Sequence, residues 1–111
     1  MEIGKELEID YQIQSSDLAK ALSTDSQDDF PEVFATSRMV ALMELAAARL
    51  MKPLLSDGEL SVGVNVNVTH MAATPNNVKV KAVAIYKGVL LESQIHNILK
   101  VCQKPLPQRH L

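Results

Sequence analysis

The chain has 111 residues, 47% of them hydrophobic and 22% charged, with a formal net charge of −2. This length allows one small domain with a single core, and the ordinary composition argues against general disorder. No basic cluster alternates with aromatic residues, which argues against nucleic acid and anionic membranes as partners.

The N-terminal sequence Met-Glu-Ile-Gly-Lys-Glu has no apolar signal core, so we expect an intracellular, cytoplasmic chain. No apolar run approaches the roughly 20 residues that span a bilayer. The single cysteine, Cys102, excludes an internal disulfide and fits a reducing compartment. The three histidines have no metal-ligand spacing with one another or with Cys102, so we expect no metal site.

The first predicted element is a half-buried strand, because apolar residues alternate with polar ones. Its apolar positions are Ile3, Leu7, Ile9, Tyr11 and Ile13. Ser15-Ser16-Asp17 then offers caps for a short helical turn through Leu22. A polar loop follows at Ser23 to Asp29.

A long apolar helix is predicted over Ser37 to Met51, with Thr36 or Ser37 as its cap and Pro53 as its stop. At about 100° per residue the apolar arc is centred on one side and the basic side chains gather opposite it. The arc holds Met39, Met43, Ala46, Ala47 and Leu50, and the basic side holds Arg38, Arg49 and Lys52.

Glu44 lies near the edge of this apolar arc. The residues three and four positions away are Val40, Ala41, Ala47 and Ala48, none of which is an ion partner. An unpaired carboxylate in a core costs several kcal/mol. Glu44 is therefore either a solvated or remotely paired surface residue or a partly desolvated functional carboxylate, and the helix pattern leaves both open.

A second strand is predicted from Val62 to His70, where four valines and His70 share the face that should meet the helix. Thr74 to Asn77 predicts a turn, and Val78 to Ile85 a third strand. Val89 to Val101 fits either a fourth strand or a short helix. Residues 104–111 predict a disordered tail, which leaves residues 1–103 as a single domain.

Strands that flank one long apolar helix favour an α+β fold in which an antiparallel sheet wraps around the helix. A small sheet with a helix on one face leaves an edge that usually needs a partner.

Two stretches, Phe30 to Glu44 and Ser61 to Pro75, resemble hot-dog-fold thioesterases of the fluoroacetyl-CoA thioesterase type. The resemblance implies a hot-dog domain that forms a homodimer, with an acyl-CoA substrate near the dimer interface and no cofactor besides the CoA of that substrate. It also implies a catalytic group, Thr36, Glu44 and His70. Gly63 would lie beside the thioester carbonyl, and Phe30 and Phe34 would contribute to substrate binding or core packing.

Each of these residues has a simpler reading, because Thr36 is a plausible helix cap, His70 a turn histidine and Gly63 a bulge. Taken together they predict hydrolysis of a small acyl-CoA thioester, with His70 as proton shuttle. Glu44 would be a base or nucleophile, and Thr36 a nucleophile or a positioning group.

Two segments differ from that family. Gln27 stands where the fluoroacetyl-specific enzyme has a further phenylalanine, which favours a general or different acyl group. After Gly88 the chain lacks the family's Gly-x-His-x-Arg segment, so the final strands could be missing in a shortened or alternatively ended form. The alternative function is a non-catalytic hot-dog module that binds CoA or acyl groups or only dimerises.

Overall fold

Three antiparallel strands form one sheet in the computed structural model, which describes residues 1–61 and 67–88, and residues 99–105 through their backbone. The strands are β1 (Glu6–Gln12), β2 (Lys79–Tyr86) and β3 (Leu99–Pro105), in the order β1-β2-β3. The helix α1 (Thr36–Met51) packs across this sheet, mainly on β2. The predicted α+β fold with one long central helix is confirmed.

The alternation predicted for the first strand is present in β1. Leu7, Ile9 and Tyr11 are half-buried towards the helix, while the intervening residues are exposed. Strand β2 is more deeply buried because it pairs with a strand on each side, and Ile9 lies opposite Ala82 in the β1–β2 register. This difference follows from position in the sheet, since a central strand has no free edge.

The core fills the space between α1 and the sheet. Its largest fully buried side chains are Phe34, Ile13 and Val80. The helix contributes Met39, Leu42, Ala46 and Leu50. These four residues recur at intervals of three and four, as a helix with one buried face requires. Met43 and Ala47, which we predicted at the centre of the apolar arc, are only half-buried.

The start of α1 differs from the prediction. Ala35 is the N-cap residue and no side chain caps the helix, so the prediction that Thr36 or Ser37 caps it is wrong. Two short 3-10 helices, Ser15–Asp17 and Ala19–Leu22, occupy the predicted helical turn. A 3-10 helix at Lys52–Leu54, which contains Pro53, follows α1 directly. None of the helices in these ranges is long and apolar enough to cross a membrane.

The second predicted strand is not found in the part that the structure describes. Residues 67–70 belong to none of the three strands, and residues 62–66 lie outside the described residues. The predicted turn before β2 is confirmed, with Asn77 at a φ of 64° in the left-handed region that Asn tolerates.

Strand β3 corrects the predicted C-terminal tail. Lys104 and Pro105 belong to this strand and lie opposite Lys81 and Val80, so the tail predicted from residue 104 does not begin there. At least one strand therefore follows β2 despite the altered C-terminal sequence. Residues 89–98 and 106–111 lie outside the described residues.

Candidate active site

Thr36 and His70 meet at the start of α1. The Thr36 Oγ1 lies 2.8 Å from the Nδ1 of His70, although 34 residues separate them in the chain. Because Thr36 is the first residue of α1 and does not cap it, its hydroxyl is available for the imidazole. Two of the three predicted catalytic side chains are thus in direct hydrogen-bond contact.

Backbone hydrogen bonds fix the two segments that carry this pair. The Phe34 N–H donates to the Thr74 carbonyl oxygen at 2.7 Å, which joins the residues just before α1 to those just after His70. On the other side, the Ala35 N–H donates to the Asp17 carbonyl oxygen at 2.9 Å. The chain that leads into Thr36 is therefore held from both sides.

The second ring nitrogen of His70 is buried. Its Nε2 has no hydrogen-bond partner among the described residues, whereas buried polar atoms in proteins nearly always have one. The imidazole thus meets the Thr36 hydroxyl through Nδ1, where a proton can pass between the two groups. This arrangement suits a proton shuttle.

Glu44 is not part of this pair within one chain. Its side chain is exposed, and it lies about 160° around the helix from the buried Ala46 and about 12 Å along the axis from Thr36. The expectation of a partly desolvated carboxylate is wrong for the single chain, because α1 buries only the face opposite Glu44. Exposed apolar residues surround it, at Ala41, Leu45 and Ala48.

The predicted substrate contacts separate into different environments. Phe34 is only 1% exposed and belongs to the hydrophobic core, which corrects its assignment as a substrate contact. Phe30 is 45% exposed and can meet a ligand. Gln27 is exposed, with its N–H bonded to the Asp25 carboxylate. Gly63 lies outside the described residues.

Sequence reasoning missed the role of Asp17. Its side chain is only 6% exposed, and its Oδ2 accepts hydrogen bonds from the Tyr11 hydroxyl at 2.6 Å and from the Gln14 N–H at 2.8 Å. The hydrogen bond to Asp17 raises the pKa of Tyr11, with burial and the carboxylate charge acting in the same direction and Arg38 opposing them. The sequence signal was only an acidic residue in a short polar turn.

The chemistry available to the site is acid–base and nucleophilic. A hydroxyl beside an imidazole can be deprotonated for attack on a carbonyl. The described ranges contain no cluster of three or more His, Cys, Asp or Glu side chains that could hold a metal ion.

One long helix packed across an antiparallel sheet is the arrangement of the hot-dog fold. A hot-dog-like protein from Thermanaerovibrio acidaminovorans superposes with a TM-score of 0.67 at 20% identity, over 79% of this chain and 62% of that one. The hot-dog fold is thus confirmed.

The chain belongs to the fluoroacetyl-CoA-specific thioesterase family, whose model matches residues 13–96. The fluoroacetyl-CoA thioesterase of Streptantibioticus cattleyicolor is 40% identical over 91 residues, which are 80% of this chain and 66% of the relative. A structure of a mutant of the fluoroacetyl-CoA-specific thioesterase FlK, in complex with fluoroacetate and CoA, has a TM-score of 0.75 at 38% identity, over 81% of this chain and 74% of that one. The chain thus spans just under two thirds of the curated relative.

Proposed function

We propose that this protein hydrolyses small acyl-CoA thioesters to a free acid and CoA. The observation that carries the proposal is the 2.8 Å contact between Thr36 Oγ1 and His70 Nδ1, in a chain of a thioesterase family. A hydroxyl and an imidazole at this distance are the parts that acyl transfer from a thioester needs. The only cofactor involved is the CoA portion of the substrate.

The geometry supports best a step in which Thr36 attacks the thioester. The neutral His70 accepts the Thr36 proton at Nδ1 while Oγ1 bonds to the carbonyl carbon. The C–S bond then breaks, and the departing CoA thiolate takes the proton from His70. Glu44 then takes a proton from the water that attacks the resulting threonine ester and returns it to the departing Thr36 oxygen, which releases the acid and restores the hydroxyl.

Glu44 enters this reaction through a second copy of the chain, with which we propose that the protein forms a homodimer. Within one chain Glu44 points away from the core, among exposed apolar residues of α1. Two large apolar side chains on the loops after the helix are also exposed, Leu60 by 93% and Met71 by 87%. Such exposure favours coverage by a partner. We propose that the dimer places the Glu44 of one copy beside the exposed Thr36 of the other, at the Thr36–His70 pair.

The substrate class follows from the residues around the pair. Phe30 is the exposed aromatic that would cover a short acyl group. Gly63, which belongs to the second family motif, would lie beside the thioester carbonyl. Because Gln27 is polar and bonded within its own loop, no second aromatic covers the acyl group there. We therefore expect small acyl-CoA thioesters as substrates, without strong preference for a fluorinated acyl group.

A thiol-release assay across acyl-CoA chain lengths tests the proposal. Glu44→Gln and His70→Ala should each lose activity and retain the circular dichroism spectrum of the parent, because they remove proton-transfer groups without changing the core. Glu6→Gln is the matched control, since Glu6 is an exposed carboxylate on β1. Full activity in both site variants would exclude this site, and CoA binding without turnover in the parent would favour the non-catalytic module.

A further inference from the structure

Asp17 is a buried carboxylate that the proposed reaction does not use. Its carboxylate Oδ2 accepts hydrogen bonds from the hydroxyl of Tyr11 in β1 and from the N–H of Gln14, which follows β1. Its main-chain oxygen accepts the N–H of Ala35, the residue before Thr36. One residue therefore connects the sheet to the start of α1.

The neighbouring contacts extend this connection. Leu18 and Phe34 form a β-bridge, and the Ala19 N–H donates to the Val33 carbonyl oxygen at 2.8 Å. Residues 17–19 and 33–35 thus run side by side. Residues 33–35 are in turn bonded to Thr74, four residues beyond His70, through the Phe34 N–H.

We propose that Asp17 is a positioning residue, whose carboxylate holds the residues 17–19 segment against β1 and thereby sets the distance between Thr36 and His70. The inference rests on the proposed function for its effect on rate. Its effect on the Thr36–His70 contact does not depend on any activity of the protein.

The physical reason is the number of bonds that one buried oxygen satisfies. If the Asp17 carboxylate is removed, the Tyr11 hydroxyl and the Gln14 N–H both lose their acceptor, and the 3-10 turn loses its attachment to β1. Because the Ala35 N–H is bonded to the carbonyl oxygen of Asp17 in the same turn, a shift of that turn would also move Thr36. A displacement of about 1 Å in a reacting group can cost about 10²-fold in rate.

Three substitutions separate positioning from general stability. Asp17→Asn keeps an oxygen that can accept both hydrogen bonds, Asp17→Ala removes it, and Tyr11→Phe removes one of the two donors. Leu50→Val is the matched control, because Leu50 is buried at the opposite end of α1 and its truncation weakens the core without touching the start of the helix.

Steady-state kinetics at a temperature where every variant is folded should show kcat lowered about 10- to 100-fold in Asp17→Ala, with KM within about twofold. Tyr11→Phe should lower kcat by a smaller factor, while Asp17→Asn and Leu50→Val should stay close to the parent. If Asp17→Ala does not fold, Tyr11→Phe carries the test. A kcat in the folded Asp17→Ala or in Tyr11→Phe that matches Leu50→Val would overturn the inference.

Nitrogen-15 spectra of the His70 ring provide a readout without turnover. The ring signals of Asp17→Ala should move towards those of Thr36→Val, in which the hydrogen bond to the imidazole is absent, and those of Asp17→Asn should not. This result in a chain without thioesterase activity would preserve the positioning inference and reject the proposed function. Unchanged ring signals in Asp17→Ala would reject the positioning inference.

Discussion

Replacing Thr36 with valine removes the hydroxyl and keeps a branched side chain of similar shape. The lost interaction is one hydrogen bond, 2.8 Å between Oγ1 and Nδ1, at a solvent-exposed position. Such a bond contributes about 0.5–1.5 kcal/mol net. Because water can reach Thr36, we expect a loss of about 1 kcal/mol in the free energy of unfolding, which is a decrease of about 4 °C in Tm.

The effect on rate distinguishes two roles for this hydroxyl. If it only orients His70, a loss of about 1 kcal/mol corresponds to about fivefold in kcat. If it takes part in the proton transfer and attack, the loss should be about 10²–10⁴-fold. We expect the larger loss for Thr36→Val and a much smaller one for Thr36→Ser, which keeps the hydroxyl.

The measurement is thiol release from acetyl-CoA, followed with an aromatic disulfide that yields a coloured thiolate. The single cysteine of the chain contributes at most one equivalent, which a blank without substrate removes. Ser37→Ala is the control, because Ser37 is the exposed neighbour of Thr36 on α1. A Thr36→Val variant within about fivefold of the parent would refute nucleophilic attack by Thr36, and an unchanged rate would also refute the importance of the contact.

Three further predictions concern the core residue Phe34, the hydroxyl of Tyr11 and the turn residue Asn77. Phe34→Ala should lower the free energy of unfolding by about 3–5 kcal/mol, since Phe34 is fully buried. Chemical denaturation measures this loss, and a value below about 1 kcal/mol would contradict the burial of Phe34. The raised pKa of Tyr11 means that the folded state holds this phenolic proton more tightly. The stabilisation that comes from the Tyr11 hydroxyl is therefore complete below the pKa of about 10 that tyrosine has in the unfolded chain, and it decreases as pH rises through the raised pKa. Denaturation curves measured across this pH range should show the decrease in the parent and not in Tyr11→Phe. Asn77→Val should cost about 1–2 kcal/mol because Asn77 has a positive φ, while Asn77→Gly should be tolerated; equal stability of the two would show that the turn relaxes.

The periodic elements were predictable from sequence because their patterns report burial directly. The structure confirms the alternation in β1, and in α1 it confirms the burial of Met39, Ala46 and Leu50 but not the full burial of Met43 and Ala47. The turn at Asn77 was also predictable, since few residues other than glycine accept that backbone conformation.

The errors arose where one segment depends on contacts with another. Thr36 reads as a helix cap, but its hydroxyl instead bonds to His70. Glu44 was placed at the margin of the apolar arc, but the sheet covers only the opposite side of the helix, so the carboxylate is exposed. Neither outcome is encoded in the local pattern.

The amino-acid sequence by itself determined the helix, the two long strands before Gly88 and the candidate residues, because side-chain periodicity and family motifs are properties of a linear chain. The family resemblance had already grouped Thr36 with His70 and Glu44. Tertiary structure alone decided that within one chain Thr36 bonds to His70 while Glu44 stands apart, and that Asp17 joins β1 to the start of α1. The physical reason is that hydrogen bonds between distant segments depend on distances of a few tenths of an ångström, which are set only when the helix packs on the sheet.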